Sequence, residues 1–403
     1  MDKISFLLGA GFSAPQGYPI GNKLNELILK SNEDNFAFAP SGDLAIRTDG
    51  KKPDFGYKTS YDIEFDFCYQ LIQHFKKIKG YFDYEEFFDY ITEEVLDDIN
   101  VIEIAQPFIN ETTTVHSLQS GLKNVYTQVV AHYLKDKDGN SYYDNLPYII
   151  DESFYGYTGI MKSIKQFSKE NELHIHTLNH DLFFERFNNT AFIEGNLSDG
   201  FEELGSEYYG KLSKDNRNYM VRLQRYTGNY IGNLRLYKLH GSLDYELYYR
   251  NENGQLFPET YLKSKYGIGN TDLFKEIRNK EGELTYENCW INYHPDFLTG
   301  TTSKIERYGE PLLFKVLFQL FKANLKSTEK LIIIGYGAKD EEVNRIILDN
   351  FDYKKKKSYI IDPYAGEKVK EFAKLIGAKL ITEQLDKIKI EHFEKSTKAQ
   401  HFV

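Results

Sequence analysis

Residues 4–13 read Ile4-Ser5-Phe6-Leu7-Leu8-Gly9-Ala10-Gly11-Phe12-Ser13, with Gly17 and Pro19 close behind. The short apolar run Ile4 to Leu8 is a buried strand. Gly9 and Gly11 let the backbone turn tightly and come close to a ligand. Beyond Pro19, Leu24, Leu27 and Ile28 recur at helical spacing, so a helix follows the loop. Strand, Gly-rich loop and helix in that order hold a dinucleotide pyrophosphate on backbone N–H groups in many α/β proteins. The loop departs from G-x-G-x-x-G, because position 14 is Ala and the next glycine arrives at 17. An ordinary tight turn between a core strand and a helix is the competing reading.

The same alternation returns later in the chain. Leu173 to Leu178 is a short strand ending in Thr177-Leu178-Asn179-His180-Asp181, and Phe183, Phe184 and Phe187 start a helix. Leu234 to Leu239 is a strand ending in His240-Gly241-Ser242. Pro311 to Leu325 is an amphipathic helix, and Leu331 to Ile334 is a buried strand running into Gly335-Tyr336-Gly337. Asp340 caps a helix bearing Val343, Ile346 and Ile347. Tyr359 to Ile361 is a strand ending at Asp362-Pro363, Glu367 to Ile376 a helix closed by Gly377, and Lys379 to Ile381 a last strand. Strands alternating with helices predict an α/β fold: a Rossmann-like, mostly parallel sheet with helices on both faces. The patterns from about 61 to 170 are mainly helical, as in Ile63 to Ile78 and Phe87 to Leu96, with a loop at Asp136 to Asn145. They predict a helical insertion, 61–170, within one domain spanning 1–403. Residues 31–60 and 250–290 read as polar surface excursions, and 190–234 as a loose region.

Composition narrows the function. The chain has 403 residues, 41% hydrophobic, which is enough for a substantial core. Its formal net charge of −10 disfavours direct nucleic-acid binding. The lysines at 354–357 read as a solvated loop, and the acidic stretch Glu85 to Glu103 as the wet face of a helix. Aromatics reach 15%, which fits tyrosines packed between core and surface. Two distant cysteines, Cys68 and Cys289, supply neither a disulfide framework nor a cysteine zinc site. The N-terminal apolar run is too short for a signal peptide, and no stretch approaches the ~18 apolar residues of a spanning helix. The expectation is a cytoplasmic protein with no membrane association.

In open α/β sheets, ligands bind at the C-terminal ends of the strands. Polar or Gly-rich clusters stand there on five expected strands: residues 9–13, 177–181, 240–242, 335–337 and Asp362. Five together point to one built pocket. In these motifs the chain resembles the SIR2 (sirtuin-like) superfamily, in the branch of bacterial proteins found in anti-phage defence. GAGxS, T-x-N-x-D, HG and a late G-[TY]-[SG] occur in order. Ile334-Gly335-Tyr336-Gly337-Ala338-Lys339-Asp340-Glu341-Glu342-Val343-Asn344 is similar to that branch's IGYSFxDxxIN pattern. Two features differ from the deacylases of the superfamily. The two Cys pairs for a structural zinc are absent, and Pro19-Ile20-Gly21-Asn22 replaces their Pro-Asp-Phe-Arg segment.

The resemblance implies hydrolysis of NAD+ to nicotinamide and ADP-ribose, depleting the infected cell. NAD+ is then the substrate, and neither a cofactor nor zinc is required. Nicotinamide leaves as a neutral ring, so the chemistry needs no general acid. It needs a polar side chain near the anomeric carbon, a base, and a clamp for the carboxamide. Asn179 fits the first role and His240, with its ordinary pKa near neutrality, the second. Asp181 either contacts the carboxamide or caps the following helix. Gly9, Ala10, Gly11, Phe12 and Ser13 are expected along the pyrophosphate and nicotinamide-ribose side, and Gly335, Tyr336 and Gly337 along the adenosine half. Asp362 accepts from the adenine-ribose hydroxyls or simply turns the chain before Pro363. His180 is not counted as catalytic, Asn344 also reads as a structural helix residue, and His174, His176 and Tyr293-His294-Pro295 carry no chemistry. Control by self-assembly into a homo-oligomer, or by a partner such as a HerA-type ATPase or a short Argonaute, follows from the resemblance alone. Three alternatives stand beside this reading: a non-catalytic NAD+ or ADP-ribose sensor, a deacylase or ADP-ribosyltransferase, and a nuclease-associated subunit.

Overall fold

The computed structural model describes residues 1–134 and 156–393, apart from 48, 96–97, 215, 265–267, 269 and 293. The loop expected at Asp136 to Asn145, and Tyr293, lie outside the described residues. Seven parallel strands form the central sheet: β1 (Asp2–Leu8), β2 (Asn171–Thr177), β3 (Leu197–Ser198), β4 (Leu234–Lys238), β5 (Lys330–Ile334), β6 (Lys357–Ile361) and β7 (Lys379–Ile381). Their order is β7-β6-β5-β1-β2-β4-β3. The chain moves outward from β1 on one side, then jumps back to β5 on the other. The reversal falls between β1 and β5, the place where such sheets open a crevice.

Side-chain alternation gives each face its own core. Phe6, Ile175, Leu236, Ile332 and Ile361 pack on one face against Ile160, Met161 and Ile164 of α6 (Thr158–Ser168). Leu7, Tyr237, Ile333 and Ile360 pack on the other. That second face is covered by α9 (Phe314–Ser327), α10 (Glu341–Asn350) and α11 (Glu367–Leu375). The fold is thus a Rossmann-like, mostly parallel sheet covered on both faces, as the sequence pattern predicts.

The helix after the first loop is α1 (Gly21–Leu29), which buries Leu24 and Ile28. It shares one core with helices that lie between β1 and β2 in the chain, α2 (Ser60–Lys79), α3 (Tyr84–Asp89), α4 (Ile99–Ala105) and α5 (Val115–Leu134). The helix α6, although inside the expected 61–170 span, packs on the sheet. Between α6 and α8 (Ser303–Arg307) the chain also makes α7 (Phe183–Arg186).

Three segments differ from the sequence reading. Residues 31–60 are more than a surface excursion: Phe36–Phe38 pairs with Leu44–Ile46, and Phe36 and Phe38 are buried against Phe65, Val125 and Val129. Beyond β3, much of the regions 190–234 and 250–290, with the adjoining strand Tyr245–Glu252, forms two antiparallel sheets. The larger contains the hairpin Tyr245–Glu252 with Gln255–Lys263, the smaller Tyr208–Lys214, Arg217–Arg222, Leu273–Arg278 and Leu284–Asn288. A sequence signal was there to use. Asn253-Gly254 joins the larger hairpin with φ of 54° and 85°, as a two-residue turn with both centres left-handed requires. Among the described residues, no helix is long and apolar enough to cross a membrane.

His176 lies inside β2 and is fully buried. Its Nδ1 is 3.1 Å from the Phe6 carbonyl oxygen, which can only accept, and its Nε2 is 3.1 Å from the Asn324 amide nitrogen. One tautomer of the neutral ring satisfies both. Burial, reinforced by His174, pushes the ring's pKa down to about 3. The unfolded chain therefore binds this proton below about pH 6.5 while the folded chain does not. Stability contributed by the neutral ring is complete above pH 6.5 and is lost as pH falls. Urea unfolding of wild type and His176→Phe from pH 7 to 5 should show the wild type losing relative stability by about 1.4 kcal/mol per unit below pH 6.5. Parallel pH profiles of the two proteins would refute this.

Candidate active site

All five clusters singled out in the sequence lie at C-terminal strand ends of one parallel sheet. Asp362 (β6), Gly335 (β5), Gly9 (β1), Asn179 (β2) and His240 (β4) stand at five adjacent strand ends. Four strand spacings make this row about 19 Å long. Asn179 and His240 come from neighbouring strands at the same height. Thr177 pairs with Lys238, the Leu239 N–H donates to the Thr177 carbonyl, and each candidate sits two residues beyond its paired partner.

The glycines have a different first use from the one expected. Gly11 N–H donates to the Gly335 carbonyl at 2.9 Å. A Cβ on Gly11 would lie 2.8 Å from the Gly335 Cα, and one on Gly9 would lie 2.7 Å from the Tyr336 Cα. Gly335 has φ +61°, and a Cβ there would run into the Gly11 carbonyl carbon and the Phe12 nitrogen. The two loops touch backbone to backbone across the β1/β5 reversal. The N–H groups of Gly9, Gly11, Phe12 and Ser13 are spent on the carbonyls of Ile334, Gly335, Gly9 and Ala10. Those N–H groups face protein carbonyls because the loop folds as a 3-10 turn (Ala10–Phe12) against its neighbour. Phe12 and Tyr336 likewise turn their rings into the core. Phe12 packs on Tyr157, Phe183 and Phe184, and the Tyr336 hydroxyl bonds the Asp340 carbonyl and Asn344 Oδ1. Ala10 and Gly337 remain at the surface.

Asn179, Ser13 and Asp181 form one chain of hydrogen bonds. The Asn179 amide donates to the Gly9 carbonyl at 3.1 Å and to Ser13 Oγ at 3.0 Å. Ser13 Oγ donates to Asp181 Oδ1 at 3.1 Å. Because the Gly9 carbonyl accepts only, the amide nitrogen must point inward, so Asn179 presents its carbonyl oxygen outward. Asp181 Oδ1 also accepts the Phe183 N–H at 3.0 Å, so it shapes the start of α7 as well. Burial raises the Asp181 carboxyl above its ordinary pKa, opposed by Lys238. Lys238 itself escaped the sequence reading. A lysine closing the strand Leu234 to Leu239 was the available signal. Its ammonium is buried on the carbonyls of His180 and Asp181 and on Glu185 Oε1, and it ties this turn together.

His240 is buried. Its Nε2 lies 3.3 Å from the Tyr308 hydroxyl and 3.9 Å from Asp340 Oδ2. Burial and then the Lys304 ammonium push its pKa down to about 3, against the pull of Asp340, so the ring is neutral at pH 7. Gly241 has φ +79°, and a Cβ there would stand 2.6 Å from the Asp296 carbonyl. His180 packs at 4.6 Å on Phe297 beside it, the rings tilted by 38°. Asp362 holds a local turn, Oδ1 accepting from the Tyr364 N–H at 2.9 Å, and it is only partly buried. Among the described residues, no cluster of three or more His, Cys, Asp or Glu has metal-binding geometry.

One cavity, of about 1040 Å³, is not lined by Asn179 or His240. It is lined by Leu197 and Ser198 of β3 and by Leu182, Glu185, Asp244 and Lys263 among others. The chemistry-bearing side chains sit on the strand ends themselves, and we place the candidate site there.

No family model matches the sequence. No curated protein matches it either. Solved structures do resemble it in the course of the chain. One, described as bearing on the mechanism and regulation of Sir2 enzymes, is 10% identical, with 97% of this chain and 90% of that one covered and a TM-score of 0.34. A Sir2Tm structure with a propionylated peptide is also 10% identical, covers 95% and 88%, and has a TM-score of 0.33. A Sir2 homolog–NAD complex is 11% identical, covers 93% and 88%, and has a TM-score of 0.31. No residue role is taken from these likenesses.

The loop contact makes a direct prediction. Gly335→Ala and Gly11→Ala should each destabilise the fold by about 2 kcal/mol or more, through collision with backbone and, at 335, the left-handed φ. Gly337→Ala, whose Cβ would meet only Lys339 Cγ at 3.9 Å, should be nearly silent. Thermal unfolding of the three variants checks this, and equal effects at 337 and 335 would contradict it.

Proposed function

We propose that the protein is an NAD+ glycohydrolase that releases nicotinamide and ADP-ribose. The observation that carries this reading is the pairing of Asn179 and His240 on adjacent strand ends, beside a row of polar and Gly-rich ends long enough for an extended dinucleotide. The C1′–N bond breaks with its electrons going to the nicotinamide ring, and a water oxygen bonds to C1′. The outward carbonyl oxygen of Asn179 accepts from a ribose hydroxyl and offers partial negative charge to the developing oxocarbenium ion. His240, neutral at pH 7, takes the proton released by the water. Ser13 and Asp181 hold the Asn179 amide. Asp181 also supplies a carboxamide contact, and Asp362 accepts from the far ribose.

Loss of the zinc cysteines, and the sequence resemblance described above, support hydrolysis over protein deacylation. The same resemblance supports a role in anti-phage defence through NAD+ depletion, with control by self-assembly or by an ATPase partner. A second reading, an NAD+ or ADP-ribose sensor without turnover, is favoured by the depth of His240.

Product release from NAD+ by the purified protein, beside Asn179→Ala and His240→Ala, tests the proposal. Turnover by wild type should fall by about 100-fold or more in each variant. Binding of NAD+ or ADP-ribose without turnover at any protein concentration would favour the sensor instead.

A further inference from the structure

The acidic stretch Glu85 to Glu103 was expected to be solvated, yet two of its members face inward. Asp89 is buried and accepts five hydrogen bonds from a segment more than 200 residues away. They come from Thr301 N–H (2.7 Å), Thr301 Oγ1 (2.5 Å), Thr302 N–H (3.0 Å), Ser303 N–H (3.2 Å) and Ser303 Oγ (2.5 Å). These donors lead directly into α8. Glu85, one turn earlier on α3, reaches Lys304 at 3.4 Å. Lys304 in turn lies 3.1 Å from Asp340 Oδ2. Tyr308, four residues on from Lys304, reaches the His240 ring and stacks on Phe318 with ring centres 3.7 Å apart. Between them, Arg307 grips Asp296 with two contacts of 2.9 Å. The segment 296–298 holds the backbone of the His240 loop, since Leu298 N–H donates to the His240 carbonyl at 2.7 Å and Phe297 bridges to Gly241.

We propose that the helical insertion is a clamp on His240: Glu85 and Asp89 of α3 fix α8, and α8 sets Lys304 and Tyr308 against the imidazole. Asp89 and Lys304 are then positioning residues. The proposal rests on the reading of His240 as the base. A buried ion pair is weak evidence for stability, because desolvation offsets its attraction. What the Glu85–Lys304–Asp340 series does achieve is placement of charge around one ring. The groups facing that ring are Tyr308 from the end of α8, Asp340 from the cap of α10, and His180 from the end of β2, with Lys304 of α8 joined to them through Asp340. Lys304 occupies Asp340 and opposes an imidazolium. With Lys304 neutralised, Asp340 still caps α10 through Oδ1, and its Oδ2 is left facing His240.

The test uses the full chain and two readouts. Histidine ring NMR, with His240 assigned by its absence in His240→Gln, follows its titration in wild type, Asp89→Ala, Lys304→Met and Lys304→Arg. NAD+ turnover is measured on the same samples. In Lys304→Met, His240 should titrate about one pH unit or more higher than in wild type, and Lys304→Arg should restore the wild-type value. Asp89→Ala should move it in the same direction and lower kcat by about tenfold with KM changed by less than about threefold. An unmoved His240 titration in both Asp89→Ala and Lys304→Met overturns the clamp, whatever the turnover. A moved titration in a chain that never hydrolyses NAD+ leaves the clamp standing and removes the hydrolase reading.

Discussion

The contact between the backbones of Gly11 and Gly335 is the constraint on which the site depends. It lies where the strand order reverses, so it joins the first strand's loop to the loop of the strand that returns beside it. A side chain at either position would force the loops apart. Their closeness sets the position of the Gly9 carbonyl and of Ser13. Those two atoms then dictate which way the Asn179 amide must face. Orientation of a candidate catalytic group thus follows, in two steps, from the absence of a Cβ.

Around this point the molecule holds several buried polar groups in specific ways. The His176 tautomer is set by a carbonyl on one side and an amide on the other. Lys238 turns an otherwise apolar strand end into a support for the Asn179–Asp181 turn. His240 has both its backbone and its ring held by the 296–308 segment. Such networks contribute little net stability but fix unique positions. That is what a strand-end site needs when its reacting groups come from different strands.

The added parts of the chain are not ornaments on the parallel sheet. The helical insertion reaches the site through α3, and the 296–308 segment that it grips follows directly on the antiparallel strands. The NAD+ hydrolase proposal and the clamp both place chemistry at the seam between the parallel sheet and these segments.

Much of this was legible in the sequence. The apolar runs at Ile4 to Leu8, Leu331 to Ile334 and Tyr359 to Ile361, and the capping Asp340, specify local elements, because hydrophobic period and capping are local properties. The polar residues after each strand mark one edge, because parallel strands put all their C-terminal ends on the same side. The antiparallel sheets were missed where strands are short and half-exposed, so that alternation blurs into polarity, although Asn253-Gly254 announced one turn. What only the tertiary structure decided is direction and partnership. The Gly-loop N–H groups turn toward protein carbonyls, Phe12 and Tyr336 turn inward, and Asp89 and Glu85 reach across to α8. Those outcomes depend on which segments, hundreds of residues apart, come within hydrogen-bonding distance, and sequence period carries no information about that.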